Sequence, residues 1–187
     1  MTEAEVLDVL RRSGALRAGH FVLSSGRHSD AYVEKARVFE DPCVTIRLGR
    51  EIASWYERVS AVISPAVGAI PLGFATALAA RARFVYAERE AGVMSLRRGF
   101  SIAAGERVLV VEDVVTTGGS ATEVLALLRD LGAEVLGVAA LVDRSDVDLD
   151  LPLRALARVS AESWPPDACP PCGRGVPTES PGSRHVT

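Results

Sequence analysis

Apolar residues recur along this chain with two spacings, and the alternation between them predicts the fold class. Val6, Leu7, Val9 and Leu10 lie on a charged background, which predicts an amphipathic helix over residues 3–12, ending near Gly14. Residues 45–58 repeat the pattern, with Ile46, Leu48 or Gly49, Ile52, Ala53 and Tyr56 on one side. Residues 70–82 form an Ala-rich helical stretch, and residues 120–131 a further one. Between the helices lie short apolar runs at residues 61–64, 84–87, 108–111 and 134–142, the first stopping at Pro65. Continuous runs of this kind fit strands buried on both faces of a parallel sheet. Strand and helix alternating at this spacing predict right-handed parallel crossovers, hence an α/β fold with a central, mostly parallel sheet flanked by helices. Residues 21–24 and 32–34 read as short strands around a Ser-Gly-Arg turn, and no internal repeat is present.

The last part of the chain has a different character. From Trp164 onward come Pro165, Pro166, Pro170, Pro171, Pro177 and Pro181 with several glycines. Regular structure is not expected there, and an extended or disordered arm is. The compact domain is accordingly drawn over residues 1–163, with a tail over 164–187.

Composition narrows the class. With 187 residues, 48% of them hydrophobic, the chain can bury one good core. A net charge of −3, with both signs mixed along the sequence, argues against a nucleic-acid surface, which needs clustered basic charge. No apolar run approaches the ~18 to 20 residues of a membrane span. The polar start Met-Thr-Glu-Ala-Glu lacks the basic and apolar regions of a signal peptide, so a cytoplasmic location is expected. The three cysteines, Cys43, Cys169 and Cys172, are too few and too unevenly spaced for a disulfide framework.

The candidate chemistry is concentrated in Val108-Leu-Val-Val-Glu-Asp-Val-Val-Thr-Thr-Gly-Gly-Ser-Ala121. Glu112 and Asp113 stand at the carboxyl end of a buried strand, where open α/β sheets place their ligands. Thr116, Thr117, Gly118, Gly119 and Ser120 then offer hydroxyls and close-approach backbone N–H groups, and the following helix points its positive end at the same spot. A terminal phosphate needs several donors and little side-chain bulk, while a ribose needs acceptors for its two hydroxyls. One segment therefore fits a ribose 5-phosphate. It is neither a Walker loop nor Gly-x-Gly-x-x-Gly.

The same segment resembles the phosphoribosyl-diphosphate (PRPP) signature of the type I phosphoribosyltransferases. Other segments, covering about residues 3–160, look like the orotate-using branch of that family: His20-Phe-Val-Leu-Ser-Ser-Gly-Arg-His-Ser29, Ser64-Pro-Ala-Val-Gly-Ala-Ile-Pro71, Glu88-Arg-Glu90 through Leu96-Arg-Arg-Gly-Phe100, and Leu141-Val-Asp-Arg144. The resemblance implies the type I fold, with a small amino-terminal hood over about residues 1–40. It implies a Mg²⁺-dependent enzyme of pyrimidine synthesis that converts orotate and PRPP to orotidine 5′-monophosphate and pyrophosphate. A homodimer is also implied, with a mobile loop near the neighbouring active site. Phosphoribosyl transfer to another nucleobase, and a PRPP-binding regulator without catalysis, are the alternatives.

Roles implied by the resemblance fall on particular residues. Val67, Gly68 and Ala69 would hold the pyrophosphate, Glu112 and Asp113 the ribose hydroxyls, and residues 116–120 the phosphate. Relatives often carry a lysine where this chain has Gly68. Arg89, Arg97 and Arg98 would be the basic groups of the mobile loop; arginine stays protonated, so their part would be electrostatic. Asp113 joins them as a catalytic candidate. Ser24, Tyr32, Val33, Lys35, Thr116 and Arg144 would meet orotate, with the Arg144 guanidinium on its carboxylate and Lys35, the single lysine, restoring lost positive charge. Cys169-Pro-Pro-Cys172 has the spacing of half a zinc site, but a structural site needs about four ligands. With no second cysteine pair and only His185 as one possible partner, the expectation is against a functional metal there.

Overall fold

The computed structural model describes residues 1–23, 25–145 and 147–181. Six strands form the main sheet: β3 (Ala61–Pro65), β4 (Arg83–Glu90), β5 (Val93–Leu96), β6 (Arg107–Val115), β7 (Glu134–Asp143) and β8 (Leu153–Arg158). Their order is β5-β4-β3-β6-β7-β8, and every pairing is parallel except β4 with β5. The helices are α1 (Glu3–Arg12), α2 (Ala36–Phe39), α3 (Pro42–Ala53), α4 (Ile70–Ala80), α5 (Gly119–Asp130) and α6 (Pro170–Gly173). A second, antiparallel sheet pairs β1 (Leu16–Val22) with β2 (His28–Val33), and β2 with β9 (Ser163–Trp164).

Period-two alternation along the strands divides the core into two layers. From β6, Leu109 and Val111 pack in one layer with Val6, Leu10, Leu48, Ile52 and Leu72. Val108 and Val110 face the other, with Ala121, Val124 and Leu128 of α5. The central strand is thus buried on both sides, as its unbroken apolar run predicts. It continues past Val111 to Val115, so Glu112 and Asp113 lie within the last residues of the strand.

Several boundaries differ from the expectation for physical reasons. The helix expected over residues 45–58 is α3, which begins at Pro42, where Asp41 caps the amides of Cys43 and Val44 and proline occupies the first turn; both are favoured helix starts. It ends at Ala53, not at 58. The run at 84–87 extends into a hairpin whose two-residue turn, Ala91-Gly92, has both φ values positive (50° and 86°), the geometry that matches strand twist. Strand β8, Leu-Arg-Ala-Leu-Ala-Arg, is a short edge segment that periodicity alone leaves ambiguous.

The tail departs furthest from expectation. Instead of forming an extended arm, its described part, residues 164–181, docks on the β1–β2 sheet through β9, a 3₁₀ turn over Pro166–Ala168, and α6. Near its end Glu179 bridges to β1: its amide donates to the His20 carbonyl at 2.8 Å and its carbonyl accepts from Val22 at 2.8 Å, while its carboxylate pairs with Arg17. Pro166, Pro170 and Pro171 stand in the first turns of these short elements, where no amide is needed.

One contact fixes how α3 meets α4. A Cβ added to Gly49 would come within 2.6 Å of the Ala75 carbonyl carbon and 2.7 Å of the Thr76 nitrogen, so the two helices approach through a missing side chain. Replacing Gly49 with Ala should lower stability by roughly 1–3 kcal/mol, the range for an overpacked core. Urea unfolding measures this, and an unchanged midpoint would contradict the close approach.

Candidate active site

Strand ends and loops converge at the carboxyl edge of the main sheet. A cleft of about 640 Å³ opens there between the small sheet and the main one, lined by Val22, Leu23, Arg27, Tyr32, Val33 and Lys35 on one side and Val114, Thr116, Thr117 and Arg144 on the other. Ala161 and Ser163 of the returning chain close a third side. Beside it lies a smaller hollow of about 50 Å³, formed by Glu112 and residues 114–121. Gly118 has φ 72°, and it turns the chain from the β6 end into α5. The exposed Thr116 and Thr117 hydroxyls and the amino end of α5 surround this hollow, an arrangement suited to an anion.

The carboxylates behind the hollow have different surroundings. Glu112 is buried, and its Oε2 has no hydrogen-bond partner among the described residues. Burial, reinforced by the neighbouring charge of Asp113, pushes its pKa up to about 8, against the opposing influence of Lys35 and Arg89. Asp113 is paired: Lys35 Nζ lies 2.7 Å from its Oδ2, and the Val114 amide donates to its Oδ1 at 2.6 Å. This pair sits directly over Gly68, where an added Cβ would overlap Asp113 Oδ2 and the end of Lys35. A side chain at 68 would therefore displace this pair, and the Lys35 ammonium stands beside the position where a side chain is missing. Val67 is exposed and Ala69 buried on the same loop, which precedes α4.

Arg144 follows β7 and lines the cleft. Burial lowers its pKa, with Asp30 acting in the opposite sense. Its contacts are long, 3.4 Å to Ser29 Oγ and 3.4 Å to the Ala31 carbonyl, leaving most of its donors available. The preceding Asp143 anchors the strand end. Burial works against its charge, yet the Ser145 hydroxyl and amide and the Arg158 guanidinium hold its carboxyl below the ordinary range.

The remaining predicted residues are distributed unevenly. Tyr32 and Val33 line the cleft with Lys35, but Ser24 lies outside the described residues. Arg89 reaches α5, donating from Nε to Glu123 Oε2 and from a terminal nitrogen to Oε1, both at 3.0 Å, with Ser120 Oγ 3.4 Å away. It thus borders the phosphate-sized hollow. Arg97 and Arg98 do not: both pair with carboxylates of the β4–β5 hairpin, Arg97 with Glu90 at 3.3 Å and Arg98 with Glu88 at 3.1 Å. Arg27 of the Ser-Gly-Arg turn lines the cleft, and its Nε donates to Ser163 Oγ at 3.0 Å, tying the β1–β2 turn to the tail.

Adjacent carboxylates, a Thr-Thr-Gly-Gly-Ser loop leading into a helix and a covered cleft meet at the edge of a parallel sheet, an arrangement in keeping with the phosphoribosyl-transferring class. The family model for the phosphoribosyl transferase domain matches residues 46–150. The chain is 46% identical, over the full length of both, to an orotate phosphoribosyltransferase of Desulforamulus reducens. It is 46% identical to that of Thermotoga maritima over 97% of this chain and 99% of the relative. The crystal structure of the Aeropyrum pernix orotate phosphoribosyltransferase superposes with a TM-score of 0.69 at 30% identity, covering 82% of this chain and 93% of that one. The chain belongs to the orotate phosphoribosyltransferases of the type I family.

The buried Glu112 gives a pH signature. Its folded pKa of about 8 lies above the ordinary 4.5, so the folded protein keeps a proton that the unfolded chain releases. Its contribution is complete below about 4.5 and is lost as pH rises toward about 8. Unfolding midpoints followed across that window should fall more steeply in the wild type than in Glu112→Gln. Parallel profiles would show that Glu112 does not titrate as its burial implies.

Proposed function

We propose that the protein joins the ring nitrogen of orotate to the anomeric carbon of PRPP as the bond to the pyrophosphate oxygen breaks, giving orotidine 5′-monophosphate and pyrophosphate. The observation that carries this reading is Arg144, a half-buried guanidinium in the covered cleft with weakly engaged donors, facing Thr116 of the phosphate loop. Its planar fork matches the carboxylate that distinguishes orotate from other bases. Tyr32, Val33 and Lys35 line the same wall and would bound the base.

The other roles follow from charge. As the bond to pyrophosphate lengthens, positive charge grows on the ribose and negative charge on the leaving group. Glu112 and Asp113 would hold the ribose hydroxyls and face the cationic sugar; a carboxyl that titrates near neutrality can donate to a hydroxyl or accept from one. Residues 116–120 would anchor the 5-phosphate. Backbone groups of Val67, Gly68 and Ala69, together with Lys35 above Gly68, would meet the pyrophosphate, and Arg89 would do so after leaving Glu123. For Arg97 and Arg98 the same role requires the hairpin to close over the cleft and exchange its internal carboxylates for the ligand.

Glu112, whose Oε2 has no partner among the described residues, and Asp113 are oxygen donors of the hard kind that would hold magnesium accompanying PRPP, Asp113 on exchanging Lys35 for the ion. Bound there, magnesium supplies neutralising charge for the departing pyrophosphate. No helix among the described residues is long and apolar enough to cross a membrane, in keeping with work in the cytoplasm. Phe74 and Leu78, four residues apart on α4, are large and exposed, as is Val67 before the helix; an apolar patch of this kind suits a homodimer.

Following orotate's ultraviolet absorbance in the presence of PRPP and magnesium tests this reading. Wild type should consume orotate. Arg144→Ala should raise the orotate KM roughly 10- to 100-fold, the loss of a charged hydrogen-bonded pair, with little change in the PRPP KM. Asp113→Asn and Arg89→Ala should depress kcat instead. PRPP binding without turnover would point to a regulator, and faster consumption of a purine to a different base.

A further inference from the structure

Four side chains outside the cleft face one another across the small sheet and the tail. They are His20 and His28 of β1 and β2, and Cys169 and Cys172 at the start and within α6. Their ligating atoms all lie within 4.8 Å of one another. His20 Nε2 is 2.9 Å from His28 Nδ1, 3.2 Å from Cys169 Sγ and 3.7 Å from Cys172 Sγ, and Cys172 Sγ is 3.3 Å from His28 Nδ1. We propose that His20, His28, Cys169 and Cys172 bind a structural zinc ion that fastens the carboxy-terminal tail to the sheet covering the cleft.

Four of the six separations approach the edges of a tetrahedron around one ion, and none exceeds 4.8 Å. With Zn–S near 2.3 Å and Zn–N near 2.0–2.1 Å, the edges of a two-nitrogen, two-sulfur tetrahedron are about 3.3–3.8 Å. Three of the four distances above lie within a few tenths of an ångström of that range, and the nitrogen pair needs to open by about half an ångström. The cluster is too tight to enclose two metal ions. Thiolate with imidazole selects zinc over the hard cations that suit the carboxylates of the cleft.

Local structure prepares each ligand. His20 Nδ1–H donates to the Val176 carbonyl at 2.8 Å, which leaves Nε2 with its lone pair directed at the other three groups; such an outer hydrogen bond commonly orients a ligating histidine. Val22 pairs with His28, so His20, two residues before Val22, lies on the same face of the β1–β2 sheet as His28. Cys169 precedes the Pro170-Pro171 start of α6, and one helical turn returns Cys172 to its side. Both cysteines are free thiols, not a disulfide. No catalytic role assigned above involves any of the four, so the site stands independently of the proposed reaction.

Metal analysis of the full-length protein, purified under reducing conditions without a metal-affinity step, should find one zinc ion per chain. The double variant Cys169→Ser/Cys172→Ser and the single variant His28→Gln should lose it. Where a variant fails to fold, wild type stripped by a chelator and titrated with cobalt(II) gives the answer: thiolate-to-cobalt charge-transfer bands and intense tetrahedral d–d bands, saturating at one equivalent. Hydrogen exchange in β1, β2 and residues 163–181 should accelerate several-fold on chelation while β6 and β7 are unchanged. Metal-free reduced protein that gives no cobalt thiolate band, or zinc retained by the double cysteine variant, overturns the site. Exchange unaffected by chelation overturns the fastening.

Discussion

The ion pair between Lys35 and Asp113 is the contact on which the geometry of the cleft depends. It joins three segments distant in sequence: the exit from the small sheet, the loop at Gly68 and the carboxyl end of β6. The pair is only partly shielded from water, since Lys35 is 41% exposed while Asp113 is 5% exposed. Its importance therefore lies in positioning more than in net stability, because a partly screened pair contributes little. Gly68 accommodates it by having no side chain. A larger residue there would displace the ammonium and the carboxylate together.

Around that contact the protein separates rigid and adjustable parts. Strands β3, β6 and β7 are buried on both faces and set the edge at which Glu112, Asp113 and Arg144 stand. Arg89, Arg97 and Arg98 are exposed and bonded to carboxylates of the β4–β5 hairpin or, for Arg89, of α5. These surface pairs are weak and exchangeable, which suits groups that must change partners when an anionic ligand arrives. The small sheet lies between the two regimes, held from behind by the tail through Arg27, Glu179 and the histidine–cysteine cluster.

The parts legible in the sequence are those where local pattern and tertiary environment agree. The Val108-Leu-Val-Val run announces a doubly buried strand, and Glu-Asp followed by Thr-Thr-Gly-Gly-Ser announces a cradle, because strand, acids and loop are contiguous. The hairpin was less legible because Ala91 adopts a positive φ that glycine or asparagine would have signalled more clearly. The tail was misread for a sound local reason: proline excludes ladder and helix-interior positions, but not the first turns of short elements, where Pro166, Pro170 and Pro171 stand. The second half of the cysteine cluster could not be read at all. His20 and His28 lie 144 to 152 residues from the cysteines they face, and only the folded chain brings them together. Lys35 illustrates a middle case, since its charge was expected near the ligand but its partner, Asp113, was not.

Lys35 has one more consequence. It is the chain's single lysine, and the other amine, at Met1, is engaged by Glu51. Surface chemistry that would scatter over a dozen sites on most proteins is thereby narrowed to one side-chain amine at the entrance of the cleft. The molecule carries its own addressable label, placed where a chemist interested in the cleft would have chosen to put it.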